Sequence, residues 1–228
     1  MPLASSPDLA PYRTADGSIT LRSERWNEQY HSKHGAVQES THVYLNMGLH
    51  AWLAEHGARR PVSILEVGLG TGLNMLLTWI RCLEGKCTVE YTALEPDPLP
   101  KEQLGPLKYW EELAWPGLQE GYLKVMTEPG PHGLDGGMRF EQLRTKVQEL
   151  DVKERFDMVY FDAFGPRTQP EMWTPDVFRQ VAQSMRAGAM LVTYCAKGDV
   201  RRNMMSAGLR VERLPGPPGK REMLRARK

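Results

Sequence analysis

Glu66-Val67-Gly68-Leu69-Gly70-Thr71-Gly72-Leu73-Asn74 sets an acid, three glycines and an amide between a short apolar run and a longer amphipathic one. Glycines at alternate positions let a backbone turn sharply and approach a ligand, and a helix starting there points its first N–H groups into the gap. A dinucleotide fingerprint, G-x-G-x-x-G, would need its third glycine at position 73, where Leu73 stands; the pattern is E-x-G-x-G-x-G. Glu95 closes the next apolar run, where an ionised carboxylate can accept hydrogen bonds from both hydroxyls of a ribose. Asp162, followed by Ala163-Phe164-Gly165-Pro166, closes a third run; an acid there can orient an N–H donor or simply cap a loop. His31 and His34 lie three apart with no third ligand placed by sequence, so no metal centre is expected.

These residues need a scaffold that brings strand ends together. Val62 to Val67 reads as a short apolar strand, and Leu73, Leu76, Leu77, Ile80 and Leu83 mark a helix buried along one stripe. Further strands are expected at Val89 to Glu95, weakly at Leu123 to Met126, at Phe156 to Asp162 and at Ala189 to Cys195. Thr174 caps a helix with Pro175 at its first position and Val177, Phe178, Val181, Ala182 and Met185 inward, closed by Gly188. A short helix near Asp199 to Ala207 precedes two last strands around Pro215-Gly216-Pro217-Pro218-Gly219, expected as an antiparallel pair at the sheet edge. Alternating strands and helices imply a parallel, doubly wound α/β sheet whose ligands bind at the carboxyl ends of the strands. Upstream, Asp16-Gly17 marks a tight β-hairpin, and Ser40 caps a helix carrying Leu45, Leu49, Trp52 and Leu53 that stops at Gly57. The organisation is thus an N-terminal extension, residues 1–60, covering the active site of a main domain at 61–228.

The E-x-G-x-G-x-G turn resembles motif I of the Rossmann-like, class I S-adenosylmethionine-dependent methyltransferases. Asp162-Ala163-Phe164-Gly165-Pro166 resembles the motif IV of amino-group methyltransferases, in which a polar residue and an aromatic residue followed by proline hold the acceptor amine. Read with Tyr30-His31-Ser32 through Glu39-Ser40, with Gln169-Pro170-Glu171-Met172-Trp173-Thr174-Pro175 and with Gly219-Lys220-Arg221-Glu222-Met223-Leu224, the chain is similar from about Ser18 to Arg225 to the tRNA 5-methylaminomethyl-2-thiouridine methyltransferases. These comprise the methyltransferase half of the bifunctional bacterial MnmC enzyme and its stand-alone relatives; with 228 residues there is no room for the oxidase half, so the stand-alone form is expected.

The resemblance implies a mostly parallel seven-stranded sheet with helices on both faces and a small hairpin-plus-helix extension. It implies S-adenosyl-L-methionine as cofactor, held by Glu66, Gly68, Gly70, Gly72, Asn74, Glu95 and Asp162. It implies methylation of the primary amine of 5-aminomethyl-(2-thio)uridine at the tRNA wobble position, with Asp162 orienting the amine and Phe164 and Pro166 walling the pocket. The alternative on the same fold is a small-molecule amine N-methyltransferase. Related sequences carry a Gly-Asp pair for adenine where this chain has Gly136-Gly137-Met138, which leaves Glu141 as a candidate. Implied partners are the tRNA anticodon arm and an unlinked oxidase or upstream aminomethyl-forming enzymes.

Charge bears on the polyanion. The chain carries a net +1, yet Lys197 to Lys228 holds ten basic and three acidic residues, a local +7. Lys220 and Arg221 are the expected phosphate contacts, with Arg22, Arg25 and Lys33 as the alternative. Three cysteines without a CxxC pair fit reduced thiols, the apolar runs fall short of a membrane span, and the first residues lack a secretory pattern. A cytoplasmic protein without membrane contact is expected.

Overall fold

Strand β4 (Val62–Val67) is buried at every position, as a strand covered on both faces must be. Alternate residues feed two cores: Val62 and Ile64 face one, Leu65 and Val67 the other. In this computed structural model, which describes residues 9–23, 28–30 and 34–228, β4 is central in an eight-stranded sheet. The strands before it are β1 (Leu9–Arg13), β2 (Ile19–Ser23) and β3 (Glu28–Gln29), a separate antiparallel sheet. After it come β5 (Val89–Leu94), β6 (Gly130–Leu134), β7 (Met138–Leu143), β8 (Phe156–Phe161), β9 (Met185–Thr193), β10 (Arg210–Pro215) and β11 (Glu222–Arg227). Their order is β10-β11-β9-β8-β4-β5-β7-β6, with β9, β8, β4, β5 and β7 mutually parallel. The chain leaves β4 toward β5 on one side and later returns to β8 on the other. The crevice between those two exits, at the carboxyl ends of β4 and β8, is where an open α/β sheet binds ligands.

The helices are α1 (Ala36–Ser40), joined by a π-helical stretch (Thr41–His50) to α2 (Ala51–His56), then α3 (Leu73–Leu83), α4 (Lys101–Leu104), α5 (Tyr109–Glu112), α6 (Gln119–Thr127), α7 (Pro175–Ser184) and α8 (Gly198–Ser206). The run from α1 to α2 supplies Val43, Tyr44, Leu45, Leu49 and Trp52 to the core on one face of the sheet. Among the described residues no helix is long and apolar enough to cross a membrane.

Several expected boundaries shift. Leu123 to Met126 is not a strand but the buried side of α6: Leu118, Tyr122, Val125 and Met126 recur at helical spacing, a period that a four-residue window cannot display. The sheet gains instead a hairpin, β6 and β7, turned by Gly136 and Gly137, so it has eight strands rather than seven. Ser40 lies inside the helical run, which begins at Ala36 because the hairpin tip caps it: Ser18 Oγ accepts from Ala36 N–H at 3.2 Å and Asp16 from Gln38 N–H at 3.3 Å. That tip spans residues 14–18, longer than the tight turn expected of Asp16-Gly17. Thr174 does cap α7, accepting from Val177 N–H, but α7 stops at Ser184 and Gly188 lies within β9, where the register against β8 slips. The closing antiparallel pair, β10 and β11, stands at the sheet edge as its glycine- and proline-rich turn implied.

Candidate active site

The turn from β4 to α3 adopts left-handed backbone at Gly68, Gly70 and Gly72. At Gly68, φ is +87° and a Cβ would lie 2.8 Å from the Asp162 carbonyl oxygen, so only glycine lets the turn pack on the end of β8. Asp162 N–H donates to Val67 O at 2.9 Å from the other direction, locking the two strand ends together. Gly70 N–H donates to Glu95 Oε2 at 3.0 Å, and Asp97 N–H to the other oxygen at 3.1 Å. Burial pushes the Glu95 carboxyl above its usual range, against these N–H donors that favour the ion.

Behind the turn, Asn74 on α3 spends its amide nitrogen on two carboxylates, donating to Glu66 Oε1 at 2.9 Å and to Asp162 Oδ2 at 2.8 Å. The second Glu66 oxygen accepts from Tyr91 Oη at 2.9 Å. Glu66 is fully buried, which raises its pKa well above the ordinary value. Asp162 meets the cleft on its other side and is pushed up to about 6, chiefly by burial and then by the charge of Glu39; hydrogen bonding and Lys220 pull the other way. The Tyr44 hydroxyl lies buried beside this carboxylate with no hydrogen-bond partner of sound geometry.

Beyond Asp162 the pocket is aromatic. Phe164 meets the edge of Tyr30 at a ring separation of 4.9 Å, and the same Tyr30 ring covers Gly70, so one side chain touches both loops. Glu28 accepts from Thr168 Oγ1 at 2.9 Å and ties β3 to the loop after β8. Trp173 Nε1 donates to Phe164 O at 2.8 Å and Tyr194 Oη to Ala163 O at 2.9 Å, fixing that loop from beneath. Lys220 ion-pairs with Glu39 and sits 4.1 Å from the centre of the Tyr194 ring. The cleft measures about 1550 Å³ and runs from Lys220 and Tyr194 past Asp162 and Gly68 to Glu95 and the Arg144–Val147 stretch.

Of the expected residues, Gly68, Gly70, Glu95, Asp162, Phe164 and Lys220 line this one cleft. Glu66, Gly72 and Asn74 stand behind its wall: Glu66 is sealed by Asn74 and Tyr91, and a Cβ at Gly72 would meet Met126. Pro166 and the exposed Arg221 lie off the lining, and Glu141 sits within β7 away from it, while Arg144 to Val147 reach the cleft instead. Trp173 is a brace beneath the loop. His31, Arg25, Lys33 and Trp26 fall outside the described residues, and among those described no group of metal-ligating side chains assembles. Sequence reasoning missed Tyr44 and Tyr194 altogether, and it quoted Tyr30 and Glu39 without giving them a role.

The basic C-terminal stretch is largely neutralised where it lies. Arg202, Arg213, Lys220, Arg225, Arg227 and Lys228 each pair with a carboxylate, which leaves Lys197, Arg201, Arg210 and Arg221 without one among the described residues.

Residues 111–228 match the family described as S-adenosyl-L-methionine-dependent methyltransferase. The chain is 33% identical over 98% of its length to the tRNA 5-methylaminomethyl-2-thiouridine biosynthesis bifunctional protein MnmC of Cupriavidus necator, and 32% identical over 97% to that of Ralstonia nicotianae. It spans about a third of the length of these curated relatives, 35% and 34%. Among solved structures it resembles MNMC2 from Aquifex aeolicus with a TM-score of 0.73 at 23% identity, covering 98% of this chain and 71% of that one. It also resembles spermidine synthase from Thermotoga maritima, with a TM-score of 0.55 at 13% identity, covering 96% and 68%.

Proposed function

The chain belongs to the S-adenosyl-L-methionine-dependent methyltransferase family, and we propose that it methylates the primary amine of 5-aminomethyl-(2-thio)uridine at the wobble position of tRNA. The observation that carries this reading is an acid of raised pKa, Asp162, at the carboxyl end of β8, facing an aromatic pocket and anchored from behind by Asn74. MnmC relatives matching nearly the whole chain supply the substrate class.

The residues present fit the cofactor. Glu95, held open by two backbone N–H groups beside a turn with no side chains at 68 and 70, suits a ligand bearing a diol. Asp162 adds a second acceptor on the same wall, suited to a cationic centre. When bound, S-adenosylmethionine supplies an electrophilic methyl group. Gly68 and Gly70 shape the floor, while Glu66, Gly72 and Asn74 hold that floor in place from behind.

Asp162, ionised above about pH 6, accepts an N–H hydrogen of the acceptor and aims the nitrogen lone pair across the cleft. Phe164, braced by Trp173 and Tyr30, forms the wall for the pyrimidine. The described part of residues 1–60 acts as a cover on the domain formed by 61–228, with Tyr30 touching both loops. Arg221, Arg201, Arg210 and Lys197 remain to meet phosphates, and an oxidase or another aminomethyl-forming enzyme supplies the substrate.

Bulk tRNA from a strain blocked at the aminomethyl stage, treated with enzyme and cofactor and hydrolysed for nucleoside mass spectrometry, tests the reading. A gain of one methyl on that nucleoside is expected. Methylation of the free nucleoside as fast as of tRNA would favour a small-molecule N-methyltransferase.

A further inference from the structure

Lys220 reads from sequence as a phosphate contact, yet its ammonium is committed inside the cleft. It pairs with Glu39, whose side chain is 9% exposed, lies over the Tyr194 ring at 4.1 Å, and is itself 31% exposed. A lysine that grips a nucleic-acid backbone would leave its charge in solvent; this one is held by a carboxylate 181 positions away in sequence and by a ring whose hydroxyl anchors the Asp162–Phe164 loop. The arrangement places one cation beside two carboxylates, Asp162 and Glu39, where an acceptor amine must arrive.

Two unpaired carboxylates facing a primary amine would hold it as the ammonium ion, which has no lone pair and cannot attack a methyl group. We propose that Lys220, held by Glu39 against the ring of Tyr194, is the positive charge that keeps the acceptor amine neutral beside Asp162. Lys220 cancels the field of Glu39 and adds a repulsion toward the ammonium form, leaving Asp162 as the single carboxylate that orients the nitrogen. Lys220 is thus a positioning residue, acting through the charge it presents. The inference rests on the reading that this cleft methylates an amine.

The other groups around the acid do not duplicate that charge. From the helical run Glu39 and Tyr44 face Asp162, from β4 and α3 Glu66 through Asn74, and from just past the end of β9 Tyr194, which Cys195 and Glu28 act on in turn. His34 packs on Gly219, next to Lys220. Lys197 and Lys220 both act at Cys195, and among the described residues Lys220 is the cation whose field is recorded at Asp162.

The proton account closes without an added reagent. The acceptor loses a proton to solvent on entering the pocket, its nitrogen lone pair forms the N–C bond as the C–S bond of the sulfonium breaks, and the product leaves as a secondary ammonium ion with a neutral thioether.

The test uses opposite-signed changes. In Lys220→Met both the lost cation and the exposed Glu39 raise the pKa of Asp162 and of the amine, so the acid limb of kcat/KM moves up by roughly one unit or more, the scale of a neighbouring partly buried charge. In Glu39→Gln the limb moves down. Lys220→Arg stays near wild type. Titration of carboxyl-labelled aspartates by NMR, with the Asp162 signal assigned by its loss in Asp162→Asn, reads the same shifts in enzyme without substrate. Equal Asp162 titration in wild type and Lys220→Met, or shifts of one sign in both variants, overturns the proposal. So does a Lys220→Met enzyme whose only change is a flatter salt dependence of tRNA binding, the signature of a phosphate contact. Wild-type enzyme inactive on aminomethyl tRNA, with the two titration shifts as expected, would sink the tRNA reading and sustain the electrostatic role of Lys220.

Discussion

Asp162→Asn should make the protein more stable at pH 8 while disabling it. In the folded chain the carboxyl titrates at about 6, against 3.8 for an unperturbed aspartate, so between those values the native state holds a proton that the unfolded state has lost. Stability therefore falls as pH rises through that window, and the whole penalty is present above pH 6. A shift of about two units corresponds to roughly 3 kcal/mol at 1.36 kcal/mol per unit. Asp162 keeps some contact with the cleft and its solvent, which screens the effect, so about 1–2 kcal/mol is the expected gain at pH 8. Asparagine imitates the protonated acid and preserves an oxygen for Asn74, so the gain should vanish near pH 4. Urea unfolding of both proteins at pH 4, 6 and 8 reads the difference from the midpoint at unchanged slope. The variant should also methylate about 10²-fold more slowly in single turnovers, with cofactor affinity changed less. A variant destabilised equally at all three pH values would refute the reasoning, because it would make Asp162 a structural acid rather than one held at a strained protonation balance.

Asn74→Leu removes the donor shared by Glu66 and Asp162 and should cost about 2–4 kcal/mol of stability. The loss should be greater at pH 8 than at pH 5, because the folded pKa of Glu66 already lies above its unfolded value and rises further without the amide; equal losses in paired denaturation curves would contradict this. Gly68→Ala meets backbone at 2.8 Å and should abolish cofactor binding by calorimetry, whereas Gly70→Ala meets only the Tyr30 ring at 3.0 Å and should weaken it modestly. Asp157 has the opposite sign to Asp162: despite its burial, Arg60, Ser63 N–H and Arg186 hold it below 3.8, so its stabilisation is fully present at neutral pH and is lost progressively as pH falls from that value through the lower folded one. Asp157→Asn should accordingly destabilise more at pH 7 than at pH 3 in thermal melts. Arg221→Ala should reduce the salt slope of tRNA binding by up to ~1 unit, a change absent in Lys220→Met.

The chemistry legible in the sequence was the part encoded in short contiguous stretches. Gly68, Gly70, Glu95 and Asp162 each sit at a strand-to-loop transition, where composition changes over a few residues and the doubly wound architecture then brings the ends together. What could not be read was pairing across the chain. Counting charge gives +7 from Lys197 onward, but it does not show that Arg227 meets Glu55 or that Lys220 meets Glu39, which are fixed only when β11 docks beside β9 and the helical run crosses the sheet. The resemblance implies Asn74 as a cofactor ligand, whereas its position on the first turn of α3 directs its amide to Glu66 and Asp162.

The coupling between Gly68 and Asp162 explains why the two motifs belong to one reading. A side chain at position 68 would collide with the carbonyl of the very residue whose carboxylate lines the cleft, and Asp162 N–H returns a hydrogen bond to Val67. The glycine turn after β4 and the loop after β8 are therefore joined at one edge, and under the proposed function the cofactor and acceptor sites share it. Asn74 extends the same edge, since one amide group holds both the acid beneath the turn and the acid beyond it. A shift of either loop would strain these contacts to the other, and under the proposed reaction alignment near ~3 Å would gain from that coupling. Tyr30, touching Gly70 on one side and Phe164 on the other, completes that edge from above, so substitutions there should alter cofactor affinity and acceptor turnover together, and a Tyr30→Ala enzyme with only one of the two changed would show that the loops move independently.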